Sequence, residues 1–364
     1  MTIIVMVIGW MKSNDYMMNK YQCVFVIFCI LLVSGACSKE KEVKSGIPDL
    51  TWEEISPWGQ TTLALSDAFV FNIADTAYLG WGYSALGENE YIYKFIPDKH
   101  IDGWWNVMGS FPFSEKGGRR EAVSFVLGKK VYIGLGYYRK KTAFEFTQRY
   151  YADFYVYDSE EKTWEPLEFK FPGEARRGAV AFSLGGKGYV GTGLTEDGRC
   201  LRDFYEFDPE KGWTRIENMV TARWGANAFV ADGNAYICFG CLNNDRVHGN
   251  WDVQKFNPET KSWEGQLVYF ENDEEPSLMK MDGVVSFVLN KNGQDFVYCF
   301  GGDFNRDSLD DSYCWGFNST TNEWKNIGLV QGREYAFSMN NRGYLLKPDL
   351  DGVSFIGKVF DFKE

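Results

Sequence analysis

The sequence predicts an all-β fold of six four-stranded units arranged radially, and three observations predict it. The first is a stretch that recurs: "RREAVSFVLGKKVYIGLGY" from Arg119, "RRGAVAFSLGGKGYVGTGL" from Arg176 and "RWGANAFVADGNAYICFGC" from Arg223. Weaker copies begin at Asp67, Asp282 and Arg333. The second is an aromatic residue downstream of each copy, usually followed by a polar one: Tyr157-Asp158, Phe207-Asp208, Phe256-Asn257, Phe317-Asn318 and Phe360-Asp361. The first copy departs slightly, with Phe95 followed by Ile96-Pro97. The third is a tryptophan six to nine residues later in five copies: Trp104, Trp164, Trp213, Trp263 and Trp324. Each copy reads as an apolar strand, a tight turn, a second strand carrying an aromatic and two further strands.

The N-terminal segment is not part of that pattern. Met17-Met18-Asn19-Lys20 precede the apolar run Cys23 to Val33, then Ser34-Gly35-Ala36 and Cys37. A basic start, a short apolar core and a small-residue exit form a secretory signal, too short to span a membrane stably. Cysteine directly after small residues resembles the bacterial lipoprotein signal, which implies lipidation at Cys37, although Ser34 stands where Leu or Val is usual. Ordinary cleavage near Ala36 or an uncleaved anchor are the alternatives. "SKEKEVKSG" after Cys37 resembles the surface-export signal of Bacteroidetes lipoproteins. The expected organisation is a signal segment over 1–36, a lipidated tether over 37–49 and the repeat domain over 50–364, on the bacterial outer membrane. Without residues 1–36 the chain has 36 basic and 49 acidic residues, net −13. That surface repels phosphate backbones, so no nucleic-acid partner is expected.

A period of roughly 50 residues with four strands per unit is that of radial β-sheet arrays. The paired glycines, the aromatic-Asp and the late tryptophan resemble kelch repeats from Leu50 to Glu364, which implies a six-bladed β-propeller. The sixth copy ends at Glu364 before any tryptophan. "LTWEEI", with Trp52, precedes the first copy and supplies the missing outer strand, so the two chain ends close one ring. Each tryptophan is expected to wedge between neighbouring blades, burying ~150–250 Å². The glycines at Gly186, Gly188 and Gly191 spell G-x-G-x-x-G, the mark of a dinucleotide-binding turn. A cofactor turn must open a helix, and "DFYEFD" follows instead, so these glycines serve blade packing.

No cofactor or metal is expected. Cys238 and Cys241 form a lone C-x-x-C, and only His100 and His248 exist in the chain. A disulfide between Cys200 and Cys241 is an open alternative. Galactose oxidase shares the kelch architecture, but its copper needs a Tyr followed by His; here His100 follows Lys99 and His248 follows Val247. N-acetylneuraminate epimerase is also a six-bladed kelch protein, and the resemblance to it is one of fold. Asp303, Asn305, Asp307 and Asp310 alternate as calcium ligands do, but Ser308 replaces the turn glycine, which favours a solvated acidic loop.

Four copies open with Arg-x-x-Ala: Arg119-Ala122, Arg176-Ala179, Arg223-Ala226 and Arg333-Ala336. The first strand of a propeller blade is innermost, so these arginines border the central channel. Two roles suit a forked donor there. The arginines bridge blades by bonding carbonyls or acids, or Arg119, Arg176, Arg223 and Arg333 hold an anionic ligand beside Trp224. The long segment Tyr137 to Asp153 mixes Arg139, Lys140, Lys141 and Arg149 with six aromatics and is a candidate contact surface. The expected function is a monomeric, envelope-anchored, non-catalytic module that binds a glycan or a protein. The alternative is an epimerase or mutarotase on an acidic sugar such as sialic acid. A buried, unpaired carboxylate deep in the arginine-rimmed mouth, with a raised pKa, would favour that enzyme.

Overall fold

Apolar residues at every second position send one set of side chains to each face of a strand. The innermost strands obey that rule in the computed structural model: Val123–Leu127, Val180–Leu184 and Asn227–Ala231 each bury their first and third residues. The structure describes residues 46–55, 58–59, 65–74, 76–84, 87–96, 104–112, 118–141, 144–244, 252–267, 283–301, 311–331, 334–348 and 355–364. The signal segment, Cys37, Arg333, both histidines and the acidic 303–310 loop lie outside them.

Six antiparallel sheets follow one another along the chain. Blade 1 comprises Phe69–Ile73, Thr76–Gly80, Tyr91–Ile96 and Trp104–Ser110, with Trp58–Gly59 added in parallel at its edge. Blade 2 is Val123–Leu127, Lys130–Gly134, Phe154–Asp158 and Thr163–Pro166. Blade 3 is Val180–Leu184, Lys187–Gly191, Phe204–Asp208 and Gly212–Ile216. Blade 4 is Asn227–Ala231, Asn234–Cys238, Asp252–Asn257 and Ser262–Leu267. Blade 5 is Val285–Lys291, Gln294–Gly301, Asp311–Asn318 and Glu323–Gln331. Blade 6 is Tyr335–Met339, Arg342–Pro348 and Phe355–Phe362, completed by Leu50–Ile55 as its outer strand. The inner strands adjoin in cyclic order, and that of blade 6 lies beside that of blade 1. The fold is a six-bladed propeller closed by its own N-terminal strand, as expected.

One aromatic motif repeats in all six blades. A phenylalanine of the first strand faces a tyrosine of the second: Phe71–Tyr78, Phe125–Tyr132, Phe182–Tyr189, Phe229–Tyr236, Phe287–Tyr298 and Phe337–Tyr344. Five of these pairs are stacked, with ring centroids 4.9 to 5.2 Å apart. The third-strand aromatic of the following blade then inserts against the pair. Phe207 lies 4.9 Å from Tyr132, Phe256 5.0 Å from Tyr189 and Phe317 5.2 Å from Tyr236. Phe360 lies 5.4 Å from Phe287, and Phe95 closes the ring 5.4 Å from Tyr344. Tyr157 shares one buried cluster with Phe71 and Tyr78. The aromatic-Asp signature of the sequence is therefore the seam between blades.

The glycines of the G-x-G-x-x-G stretch have three separate reasons, of which the seam between blades accounts for Gly188. A Cβ on Gly188 would stand 2.1 Å from the Phe125 ring of blade 2, and one on Gly191 would stand 2.1 Å from Phe204. Gly186 sits in the hairpin turn at φ +77° with open space around it.

Outer-strand tryptophans wedge against the preceding blade as expected. Trp213 lies 5.1 Å from Phe154, Trp263 4.7 Å from Phe204 and Trp324 5.8 Å from Phe239. Three details differ from the sequence reading. In blade 1 the register sets Trp105, not Trp104, opposite Phe95. Trp52 pairs with Phe360 yet stays 48% exposed, covered by the Lys358 ammonium 4.5 Å from its ring. Ile47 and Pro48, read as tether from the sequence, pack on the propeller: Ile47 is buried against blade 5 and Pro48 accepts a hydrogen bond from the Tyr298 hydroxyl at 2.8 Å.

These exposures rank two substitutions in blade 6. Phe360→Ala empties a buried aromatic site and should cost about 3–5 kcal/mol. Trp52→Ala loses partial burial and a cation–π contact, and should cost about 1 kcal/mol. Urea midpoints of the two variants check the order; equal losses would contradict the seam assignment.

Candidate functional site

The blades enter their first strands through three recurring positions, and among the described residues each position has a recurring role. The first is the buried arginine. Arg119, Arg176 and Arg223 are wholly buried. Arg119 donates to both carboxylate oxygens of Asp153, at 2.7 and 3.0 Å, and to the Leu135 carbonyl. Arg176 does the same with Asp203, at 2.6 and 2.9 Å, and with the Thr192 carbonyl. Arg223 ion-pairs with Asp252 and donates to the Phe239 carbonyl. Burial pushes the Asp153 and Asp203 carboxyls up, but their arginines, helped by the Tyr155 and Tyr205 hydroxyls, hold them below the usual range.

The acids stand where each third strand begins, so each arginine side chain spans its own blade. Its backbone carbonyl serves the neighbour. Gly82, Gly136 and Gly193, all at positive φ, donate their N–H groups to the carbonyls of Arg119, Arg176 and Arg223 at 2.8 to 2.9 Å. Blade 1 has Leu65 in place of arginine. There buried Asn89 donates to the Trp81 and Tyr91 carbonyls and accepts from the Tyr93 hydroxyl.

An anionic ligand among these guanidiniums is thus not what the structure builds. A guanidinium without water needs an acid partner, and the blade's own Asp supplies it. Trp224 is likewise unavailable as an apolar platform. It is 2% exposed, its indole N–H donates to the Asn243 carbonyl, and the Arg177 guanidinium lies 4.6 Å over its ring. Arg333 lies outside the described residues.

The second position faces the channel mouth and carries Ser66, Arg120, Arg177, Trp224 and Glu334. Arg120 bonds Glu88 at 3.1 Å and stacks 3.8 Å over Tyr83. Arg177 bonds Glu121 at 2.7 Å and the Tyr150 hydroxyl at 3.0 Å, with the Tyr137 ring 5.2 Å away. The third position takes positive φ in five blades, at Asp67, Glu121, Gly178, Gly225 and Gly283. Its N–H groups reach the preceding blade: Glu121 to Asp67, Gly225 to Gly178 and Gly283 to Gly225.

Blade 6 breaks this pattern. Tyr335 begins the strand at the third position, so Asp67 N–H donates to the Glu334 side chain at 3.1 Å. The Tyr335 hydroxyl donates to the Leu65 carbonyl at 2.7 Å. Burial and the Asp67 charge push the Glu334 carboxyl up to about 7, against hydrogen bonds from Ser66 and the Asp67 backbone.

Loops between second and third strands flank this mouth. Blade 1 forms a short hairpin, Tyr83–Ser84 with Gly87–Glu88. Blade 2 forms a longer one, Tyr137–Lys141 with Phe146–Tyr150. Its base is packed, with Tyr137 and Tyr151 buried, while Phe144 is fully exposed and Phe146 60% exposed. Arg139 stands on this hairpin, exposed, 5.7 Å from the Phe146 ring, and Lys140 ion-pairs with Glu145 at 3.1 Å.

The cysteines are core residues. Cys238, Cys299 and Cys314 are wholly buried, and burial raises the Cys299 and Cys314 thiols well above their ordinary range. Cys200 and Cys241 pack into one small cluster with Leu194 and Trp224. Among the described residues no group of three His, Cys, Asp or Glu side chains could hold a metal ion, and no helix is long and apolar enough to cross a membrane.

Sequence reasoning missed the acids Asp153, Asp203 and Asp252. A signal existed, since each lies 27 to 34 residues after its arginine and opens an aromatic or apolar strand.

The fold and this layered mouth define a six-bladed β-propeller. The solved structure "Structure of YjhT" is similar at a TM-score of 0.62 and 16% identity, over 84% of this chain and 96% of that one. The curated F-box/kelch-repeat protein At1g67480 of Arabidopsis thaliana is 30% identical over 115 residues. That match covers 31% of this chain and 30% of the relative, so it spans under a third of either. No family model matches the chain.

Glu334 gives a pH test of this geometry. Its folded pKa of about 7 exceeds the ordinary value, 4.5, so the native state holds the proton more tightly. The stabilisation is complete below pH about 4.5 and lost as pH rises through about 7. Between pH 5 and 8 the wild type should lose on the order of 2–3 kcal/mol relative to Glu334→Gln. Urea midpoints of both proteins across that range check it, and parallel profiles would contradict the burial.

Proposed function

We propose that this propeller is a non-catalytic binding module that docks a protein partner on its hairpin-bearing mouth face. The observation that supports this is the tip of the blade 2 hairpin, where Phe144 and Phe146 stand exposed beside Arg139 and Lys140 on an acidic chain. Aromatic and arginine side chains are the residues protein interfaces favour. Tyr83 is also exposed on this face. A glycan platform is less favoured, because Trp224 has no free ring face and the strut arginines are already bonded.

Lipidation at Cys37 would hold the module at the bacterial outer membrane, with this face turned to its partner. The test places a photo-crosslinking phenylalanine analogue at position 144 or 129 in intact cells. Lys129 lies in a turn at the opposite end of the blade 2 sheet. A discrete protein adduct is expected from position 144 and none from 129, and the protein should leave the membrane fraction on Cys37→Ser. Equal adducts at both positions, or none at 144, would refute the docking face.

Glu334 favours one second reading, an epimerase or mutarotase on an acidic sugar, because a carboxyl titrating near neutrality suits general acid–base work. That reading expects turnover of glucuronate or N-acetylneuraminate by NMR, abolished in Glu334→Gln. Identical spectra with and without protein would remove it.

A further inference from the structure

A cleft lies over blade 3. It has a volume of about 350 Å³ and lies between the linker at Pro172–Glu174, the loop at Cys200–Asp203 and the outer strand at Arg215. Its floor is fixed: Asp203 is held by Arg176 and by the Tyr205 hydroxyl at 2.9 Å. The loop wall is fixed too, since the Arg202 carbonyl accepts from Met219 N–H at 2.9 Å.

Two arginines distinguish this cleft. Among the described residues seven arginines are ion-paired: Arg119, Arg120, Arg176, Arg177, Arg199, Arg223 and Arg342. Arg202 and Arg215 line the cleft and hydrogen-bond only neutral groups, although the Arg215 charge also acts on the Asp203 carboxylate. Arg202 donates to the Val220 carbonyl at 3.4 Å, and Arg215 donates to Asn218 Oδ1 at 3.2 Å. The acids in the lining are already engaged, Asp203 by Arg176 and Glu174 by Arg199 at 2.6 Å. Arg139 and Arg149, on the blade 2 hairpin, likewise have no ion pair among the described residues; Arg202 and Arg215 differ in sharing one cavity. Here two guanidiniums face one cavity with most of their five donors each unused.

We infer that this cleft is a carboxylate-binding subsite in which Arg202 and Arg215 together hold an anionic carboxyl group. Forked guanidiniums match a planar carboxylate in charge and geometry. Exposed Pro172 forms an adjoining wall, which gives the rest of the ligand a surface to lie on. The cleft is separate from the hairpin tip, so the inference stands independently of the docking face proposed above. A free small acid and an acidic peptide side chain carry the same group, and the test separates them.

The probes are succinate and a fluorescein-labelled hexaglutamate peptide, titrated against the whole chain at low and physiological salt. Arg202→Ala with Arg215→Ala should weaken binding of the preferred probe at least ten-fold. Lys211→Ala, an exposed lysine in the turn at the other end of the same two strands of blade 3 and outside the lining, should change it less than two-fold. Phe144→Ser with Phe146→Ser should leave it unchanged. Binding of succinate assigns a free acid, and binding of hexaglutamate alone assigns a peptide. Equal weakening by Lys211→Ala would reduce the effect to general attraction and overturn the subsite. Failure of both probes to bind at millimolar concentration would overturn it too.

Discussion

The insertion of each blade's third-strand aromatic against the Phe–Tyr pair of the blade before it is the interaction on which the rest of this structure depends. A four-stranded sheet buries too little by itself and must give its faces to neighbours. Here the neighbours meet through rings at centroid distances near 5 Å, tilted more often than parallel, as aromatic quadrupoles prefer. The seam also sets the sequence constraints around it. Gly188 and Gly343 lack side chains where Phe125 and Phe287 of the preceding blades press on the backbone.

Above the seam lies a polar layer with a division of labour. In blades 2, 3 and 4 the first residue of the entry is a buried arginine that fixes its own blade to an acid while its carbonyl bonds the neighbour. The next residue faces the mouth, and the one after it turns through positive φ to bond the preceding blade. Blade 6 departs from this plan. There a glutamate side chain substitutes for the backbone, which is why a carboxyl with a raised pKa sits where the first and last blades meet.

The sequence made the period, the blade count and the closure by Leu50–Ile55 readable, because each depends on spacing. It also marked the arginines, whose residue type fits a strut and a ligand site equally. What separated the two was the acid partner, and Asp153, Asp203 and Asp252 come from another strand of the blade. Tryptophan spacing set Trp52 in the outer strand correctly, but its exposure depends on what covers it, and only Lys358 does. In blade 1 two adjacent tryptophans left the register ambiguous until Phe95 was paired with Trp105. Pro48 and Ile47 read as tether by position and composition, yet Tyr298 and blade 5 capture them.

The most direct measurement of the aromatic seam is a double-mutant cycle across the closing junction, using Phe95→Leu and Tyr344→Leu. These rings come from the first and last blades and lie 5.4 Å apart. The account predicts a favourable coupling of about 0.5–1.5 kcal/mol in unfolding free energy. Strictly additive losses would contradict it, showing that the rings do not hold the two ends of the chain together.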